Sequence, residues 1–411
     1  MKQILGVLML MGISLSAFPS LAAQAPAARP LTLDKALELA AEQNLDLIAA
    51  REGRAIAQAG VITAAQRLNP SFNVNVLRDT PHEGFWFTQP IQLGGKRQRR
   101  IEVAERQKGV TEESIRTVAL QVRLATRQAY YNLALAQGKV IELQKVVQLA
   151  RRLLQIAKAR YGAGDAAMLE VIQAQLGVEQ ATANLEVAEK QERVSLSELN
   201  ELLDEPATHI WNIASPLNEI PKPPLLSGLI EKAYEASPEI ASLLRQLDVE
   251  RSRERLYKAE RVPNLDLEYG VDFNSPGQGG FREGPRSQIT IGLPLFNRNQ
   301  GLIAQSLATE DQLDDQIAAA RRGVAGMVET NYLQLASQMT KVNLYEQKLV
   351  PASQQLESMA EESYRAGKTT ILSVITAQQS EQSFEQQFLQ SEYAAQAAYA
   401  ALEAAVGVPL Q

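Results

Sequence analysis

Tyr161-Gly162-Ala163-Gly164-Asp165-Ala166-Ala167-Met168-Leu169-Glu170-Val171-Ile172-Gln173-Ala174-Gln175 is echoed downstream by Tyr364-Arg365-Ala366-Gly367-Lys368-Thr369-Thr370-Ile371-Leu372-Ser373-Val374-Ile375-Thr376-Ala377-Gln378. The tyrosine, a glycine three residues on and a Val-Ile-x-Ala-Gln run coincide at an offset of 203. Upstream, Ala36–Leu47 (ALELAAEQNLDL) matches Leu229–Ile240 (LIEKAYEASPEI) at an offset of 193, which sets Pro70 on Pro263. The extra residues fall mostly in the loop of the second copy's strand pair. The chain is therefore two similar halves, 31–205 and 225–408, joined by a Pro-rich linker or small equatorial element at 206–224.

Each half has one grammar. A first helix runs to about Arg67 or Val262, and Pro70 or Pro263 stops it. Two strand-like runs follow, over about 70–93 and 264–296. A long helical stretch then starts near Gln98 or Leu302 and runs to the quoted tyrosine motifs. A glycine break turns the chain, and a second helix returns to about residue 204 or 406. Each such pair is an αα-hairpin. A continuous stretch of roughly 60 residues spans about 90 Å and needs lateral partners to bury its apolar seam. The abundance of alanine and an aromatic content of only 5% suit close-packed helices.

The strand runs alternate. Phe72-Asn73-Val74-Asn75-Val76 and Leu265-Asp266-Leu267-Glu268-Tyr269-Gly270-Val271-Asp272-Phe273 repeat every second residue. Their partners are Phe85–Leu93 and Gln288–Leu293. A soluble hairpin with one wet face has this pattern, and so does a tilted membrane-spanning strand of about ten residues. Open edges are not tolerated in lipid, and four strands cannot close a barrel, so the membrane reading requires several copies of the chain. In that reading Phe72, Phe85, Trp86, Tyr269 and Phe273 supply interfacial aromatics. Asp266, Glu268 and Asp272 then line the lumen, either attracting cations to the wall or simply wetting it. On the membrane reading the fold class is mainly α with a membrane β-barrel portion.

The N-terminus has a basic Lys2, an apolar run from Ile4 to Phe18 and small residues before Ala22 and Ala25. This predicts a signal peptide over 1–22, with cleavage as late as residue 25, and a tether over 23–30. No later segment offers about 18 consecutive apolar residues. Net charge is −6, which argues against nucleic acid as a partner, and the chain has no cysteine.

Nothing nominates an enzyme: there is no phosphate loop, metalloprotease helix or nucleophile elbow. No cofactor is expected. Asp79, His82 and Glu83 in the first strand-pair loop form a weak metal-site candidate, and a surface histidine in a polar turn is the bland alternative. His209 reads as structural.

These motifs resemble the TolC-like outer-membrane efflux family over essentially the whole mature chain. Leu31-Thr32-Leu33-Asp34-Lys35-Ala36-Leu37 resembles its opening. Tyr161-x-x-Gly164 and Tyr364-x-x-Gly367 resemble its helical tips. Gln89-Pro90-Ile91-Gln92-Leu93-Gly94-Gly95-Lys96-Arg97 and Leu293-Pro294-Leu295-Phe296-Asn297-Arg298-Asn299-Gln300-Gly301 resemble its heavy-metal, CzcC-like branch. The resemblance implies a homotrimer with a 12-stranded barrel in outer-membrane lipid and an α-barrel in the periplasm. It implies docking of a periplasmic adaptor at Tyr161, Gly164, Tyr364 and Gly367. It also implies an inner-membrane resistance-nodulation-division pump and a cargo of Zn, Co and Cd or Cu and Ag. The family's acidic constriction falls on Ser373 and Thr376, so gating shifts to Glu170, Tyr364 and Arg365 or differs altogether. Gly94, Gly95, Asn297, Asn299 and Gly301 supply the strand-to-helix junctions. A drug-efflux or protein-secretion duct of the same fold remains an alternative, as does a soluble periplasmic coiled-coil scaffold.

Overall fold

The computed structural model describes residues 29–76, 83–215, 217–273 and 283–410. The expected signal peptide and most of the tether lie outside the described residues. Arg29 and Pro30, at the end of that tether, belong to a short strand instead.

Strand β1 (Arg29–Leu31) is followed by helices α1 (Leu33–Gln43) and α2 (Leu45–Ala65). A strand pair, β2 (Ser71–Val76) and β3 (Glu83–Ile91), leads into α3 (Lys96–Gly162) and the returning α4 (Met168–Leu202). The Pro-rich segment holds β4 (Trp211–Ile213), which pairs parallel with β1. The order then repeats: α5 (Leu226–Ala236), α6 (Pro238–Glu260), β5 (Leu265–Phe273), β6 (Glu283–Ile291), α7 (Gln300–Leu344), α8 (Val350–Arg365) and α9 (Ile371–Val406).

The single first helix expected in each half is two helices. Asn44 ends α1 and caps α2, its side chain accepting from the Leu47 N–H at 3.1 Å. Ser237 does the same for α6, accepting from the Ile240 N–H, and Pro238 sits where its missing N–H costs nothing. Asn44 and Ser237 occupy matching positions of the two copies. So do the buried pairs Ala36 and Leu229, Ala40 and Ala233, Leu47 and Ile240, which seat these helices on the long ones.

Helix α3 runs 67 residues without a break, about 100 Å at 1.5 Å per residue. Its counterpart is interrupted. Tyr345–Leu349 form one turn of π-helix between α7 and α8, ending two residues before Pro351. Pro351 has no N–H to give the Gln347 carbonyl, and the wider turn accommodates the loss. The first copy has Gln148 at the matching position and stays α-helical.

The core is a chain of seams along the helices. One gathers Leu31, Ala36, Leu47, Tyr130, Leu133 and Leu199 of the first half. Another gathers Leu229, Val328, Leu335, Tyr399 and Leu402 of the second. Trp211 closes the first seam, donating its indole N–H to Asn200 at 2.9 Å while His209 packs on its ring at 4.1 Å. Among the described residues no helix is long and apolar enough to cross a membrane.

At one end of the helices lies an antiparallel sheet of order β2-β3-β5-β6, with β2 and β6 at its edges. The entry to α3 is tight. Gly94 and Gly95 both adopt left-handed backbone, φ +72 and +70. A Cβ on Gly94 would lie 2.8 Å from the Cβ of Val262 and 3.1 Å from the Ala259 carbonyl oxygen. In the second copy Asn299 takes the left-handed position, φ 54, which asparagine tolerates. Its N–H donates to Asn297 Oδ1 at 3.0 Å and its side-chain amide to Glu260 at 3.0 Å. Gly301, expected in the junction, lies inside the first turn of α7 with ordinary helical geometry. The basic cluster after Gly95 ties this junction together: Lys96 donates to Asn264, Arg97 to the Ala65 carbonyl and Arg100 to Gln92.

Candidate functional site

Two regions concentrate polar chemistry: one face of the sheet and the helical tips. In an antiparallel sheet, residues opposite one another share a face. The register sets Asn73 opposite Trp86, Trp86 opposite Gly270 and Gly270 opposite Arg286. Thr88, Glu268 and Gln288 form the next row on that face, and Pro90, Asp266 and Thr290 the row after it. The other face carries Phe72, Val74, Phe85, Phe87, Leu267, Tyr269 and Ile289. Phe72 stacks on Phe85 at 6.3 Å, and Phe85 meets Phe273 edge-on at 5.8 Å.

The three predicted carboxylates, Asp266, Glu268 and Asp272, therefore share the polar face. Trp86 does not join the other aromatics. It lies on the polar face, because Phe85 and Phe87 take the apolar positions on either side of it. Asp272 has a partner that sequence reading missed: Arg286 reaches it at 3.4 Å. Arg286 stands two residues along β6 from Gly284, the direct partner of Asp272, so only the register reveals the diagonal pair. Of the metal candidates, Asp79 and His82 lie outside the described residues. Glu83 opens β3 on the same face as Val76 and Phe273, exposed. Among the described residues no three His, Asp or Glu side chains are placed to hold a metal ion.

At the tips, Gly164 and Gly367 hold left-handed backbone, φ +85 and +72, where each chain turns back. The two tyrosines diverge. Tyr161 is 49% exposed, whereas Tyr364 is fully buried among Leu153, Ala157, Val171, Ile371 and Val374. Of the two, only Tyr161 presents its ring to solvent. The Tyr364 hydroxyl donates to Glu170 at 2.7 Å, across the two copies. Burial, then the hydrogen bond to Glu170 and its charge, push the phenol up to about 12. Tyr364 thus stays a proton donor through the physiological range.

Arg365, grouped with them from sequence, bonds Glu361 on its own helix instead. Its place is taken by Arg160, the residue before Tyr161. The Arg160 guanidinium donates to the carbonyls of Tyr364 and Asp165, each at 3.1 Å. It lies 4.5 Å from the Tyr364 ring centroid and 4.0 Å from Glu170. Ser373 and Thr376 are exposed on α9, the latter donating to the Leu372 carbonyl.

A sheet apolar on one side and polar on the other, open at both edges and set on a long helical bundle, defines a protomer of an outer-membrane channel. The sequence profile of the family described as "Outer membrane efflux protein" matches residues 36–204 and 229–408, one match per half. The chain is 29% identical to the cobalt-zinc-cadmium resistance protein CzcC of Cupriavidus metallidurans, covering 86% of this chain and 84% of that protein. It is 23% identical to the pyoverdine export outer membrane protein OpmQ of Pseudomonas aeruginosa, over 92% of this chain and 84% of that protein. A solved structure of CusC superposes with a TM-score of 0.76 at 18% identity, over 92% of each chain.

The chain belongs to the outer membrane efflux protein family, as a TolC-like channel. Its sheet is the outer-membrane portion and its helices form the periplasmic barrel. Members of the family are channel proteins rather than enzymes.

Proposed function

We infer that the protein is the passive outer-membrane duct of a tripartite pump that expels heavy-metal cations, of the Zn, Co and Cd or the Cu and Ag class. The observation that carries this reading is the likeness to CzcC across most of both chains, joined to a polar sheet face that bears Asp266, Glu268 and Asp272. Carboxylates on a pore wall raise the local concentration of cations. Energy comes from elsewhere: the sequence carries no phosphate loop for a nucleotide. A proton-driven resistance-nodulation-division pump supplies it, through a periplasmic adaptor that docks on the glycine turns and the exposed Tyr161.

Four strands per chain leave two open edges, and the homotrimer that the family likeness supports lets β6 of one copy pair with β2 of the next, so that twelve strands close the barrel. The tip bond between Tyr364 and Glu170, steadied by Arg160, holds the periplasmic mouth shut until the adaptor engages. The likeness to OpmQ supports a second reading, a duct whose cargo is a small organic molecule.

Deletion of the gene, followed by a panel of metal and drug tolerances, separates the two. Metal efflux predicts lost tolerance to at least one of Zn, Co, Cd, Cu or Ag, restored by the gene in trans. Unchanged metal tolerance with lost drug or siderophore export favours the organic cargo.

A further inference from the structure

Trp86, Arg286 and Asp272 form a built cluster near the end of the sheet away from the helices, on the polar face. Two glycines make its seat. A Cβ on Gly270 would stand 2.9 Å from the Trp86 ring and closer still to the Phe85 carbonyl oxygen. A Cβ on Gly84 would stand 2.9 Å from both the indole Nε1 and Asp272 Oδ1. The indole fills the space that these glycines leave. The Arg286 guanidinium lies 5.4 Å from the Trp86 ring centroid and 3.4 Å from the Asp272 carboxylate. An indole face and a carboxylate together fix a planar cation better than either alone.

We propose that Arg286, held on Trp86, cancels the charge of Asp272 and sets the ion preference of the pore, so that cation attraction falls to Glu268 and Asp266 nearer the helices. This rests on the duct reading, which turns the polar face to the lumen. The three carboxylates are then unequal. Glu268 has Thr88 and Gln288 directly opposite and Arg286 on its diagonal, but the guanidinium pairs with Asp272; Asp266 has Pro90 and Thr290. On the polar face of the sheet the row of Trp86 and Arg286 with Asp272 is near neutral and aromatic, while the rows nearer the helices carry Glu268 and Asp266. A cation leaving the periplasmic duct meets the attraction first and the neutral shelf last, which favours release over retention.

The test is reversal potential in planar bilayers under a potassium chloride gradient, with the full-length purified protein. Arg286→Gln uncovers Asp272, and the potassium-to-chloride permeability ratio should rise by roughly two-fold, the scale of one uncancelled charge per chain at a screened pore wall. Asp272→Asn uncovers the guanidinium and should lower the ratio by a similar factor. The double variant should return to the wild-type ratio, as should Arg286→Lys, which keeps the charge. A conducting wild type whose ratio does not move in Arg286→Gln and Asp272→Asn overturns this inference alone. A wild-type protein that inserts without conducting overturns the duct reading, and this inference with it.

Discussion

Tyr364 shows how one hydroxyl joins two halves of a duplicated chain. The ring is locked by packing against Leu153, Val171 and Ile371, so its O–H has one direction in which to donate, and Glu170 stands there. A hydrogen bond to a charged acceptor contributes about 1.5–3 kcal/mol, and breaking it leaves Glu170 without that donor. Tyr364→Phe keeps the packing and removes only the bond. The expected result is a higher single-channel conductance in bilayers, with more time spent open. Arg160→Leu should act in the same direction, while Arg365→Leu, whose lost guanidinium bonds Glu361 on its own helix, should leave conductance near wild type. An equal response to the Arg160 and Arg365 changes would remove Arg160 from the lock. The repeated motif made Tyr364, Glu170 and the two turn glycines visible in sequence. Arg160 was not, because it stands one residue outside the motif and its partner Tyr364 lies 204 positions away.

The returning helix α9 carries a different kind of information. Glu381 is pushed up to about 7, by burial first, then by Glu385 one turn along the same helix and by Glu142 and Glu357 across the seam with α3 and α8, against the pull of Lys145. Glu392 is pushed up to about 7 as well, by burial and then by Glu346 and Glu385. Both carboxyls hold protons more tightly in the fold than in the unfolded chain, where the ordinary value is 4.5. The fold therefore loses stability as pH rises from the ordinary carboxylate range to about 7 and is level above it. Thermal unfolding followed by circular dichroism should give a higher midpoint at about pH 5.5 than at about pH 8. Glu381→Gln should raise the midpoint at the higher pH and narrow the gap; a gap that widens would contradict the assignment. Such seams are invisible to hydrophobic periodicity, since a carboxylate facing another helix looks like one facing water. The same blindness accounts for other differences at this level. Alternation gave the two faces of the sheet but left Trp86 among the lipid-facing aromatics, whereas strand register moves it to the polar face. The long helices were legible from their length and glycine turns. The break at Asn44 was not, because an asparagine in a polar run signals a cap only once the chain direction on either side is known.

At the scale of the whole molecule, duplication poses a problem of alignment, since two helical hairpins must stay in register over about 100 Å of helix. One contact spans them at the core of the equatorial region. Arg127 of α3 and Glu403 of α9 form an ion pair with both side chains 7% exposed. Glu403 also accepts from the Leu410 N–H at 2.9 Å, and the Tyr399 hydroxyl donates to the Leu410 carbonyl at 2.5 Å, so the same pair pins the end of the chain. Arg127 lies 5.4 Å from the Tyr399 ring centroid. Sequence alone could not join these residues, which are 276 positions apart. A buried pair adds little net stability over a matched apolar pair, yet removing one member strands the other in a place without water. Arg127→Met should therefore cost about 3–5 kcal/mol, the usual penalty for an uncompensated buried charge. Arg127→Met with Glu403→Leu should recover part of that loss, though not the Leu410 bond. Denaturant unfolding in detergent, comparing each single variant with the double, measures the coupling directly. Strict additivity would mean that the two halves are aligned by their apolar seams alone. A coupling of several kcal/mol would make this buried pair the register pin of the duct, with the tip free to open while the equator holds.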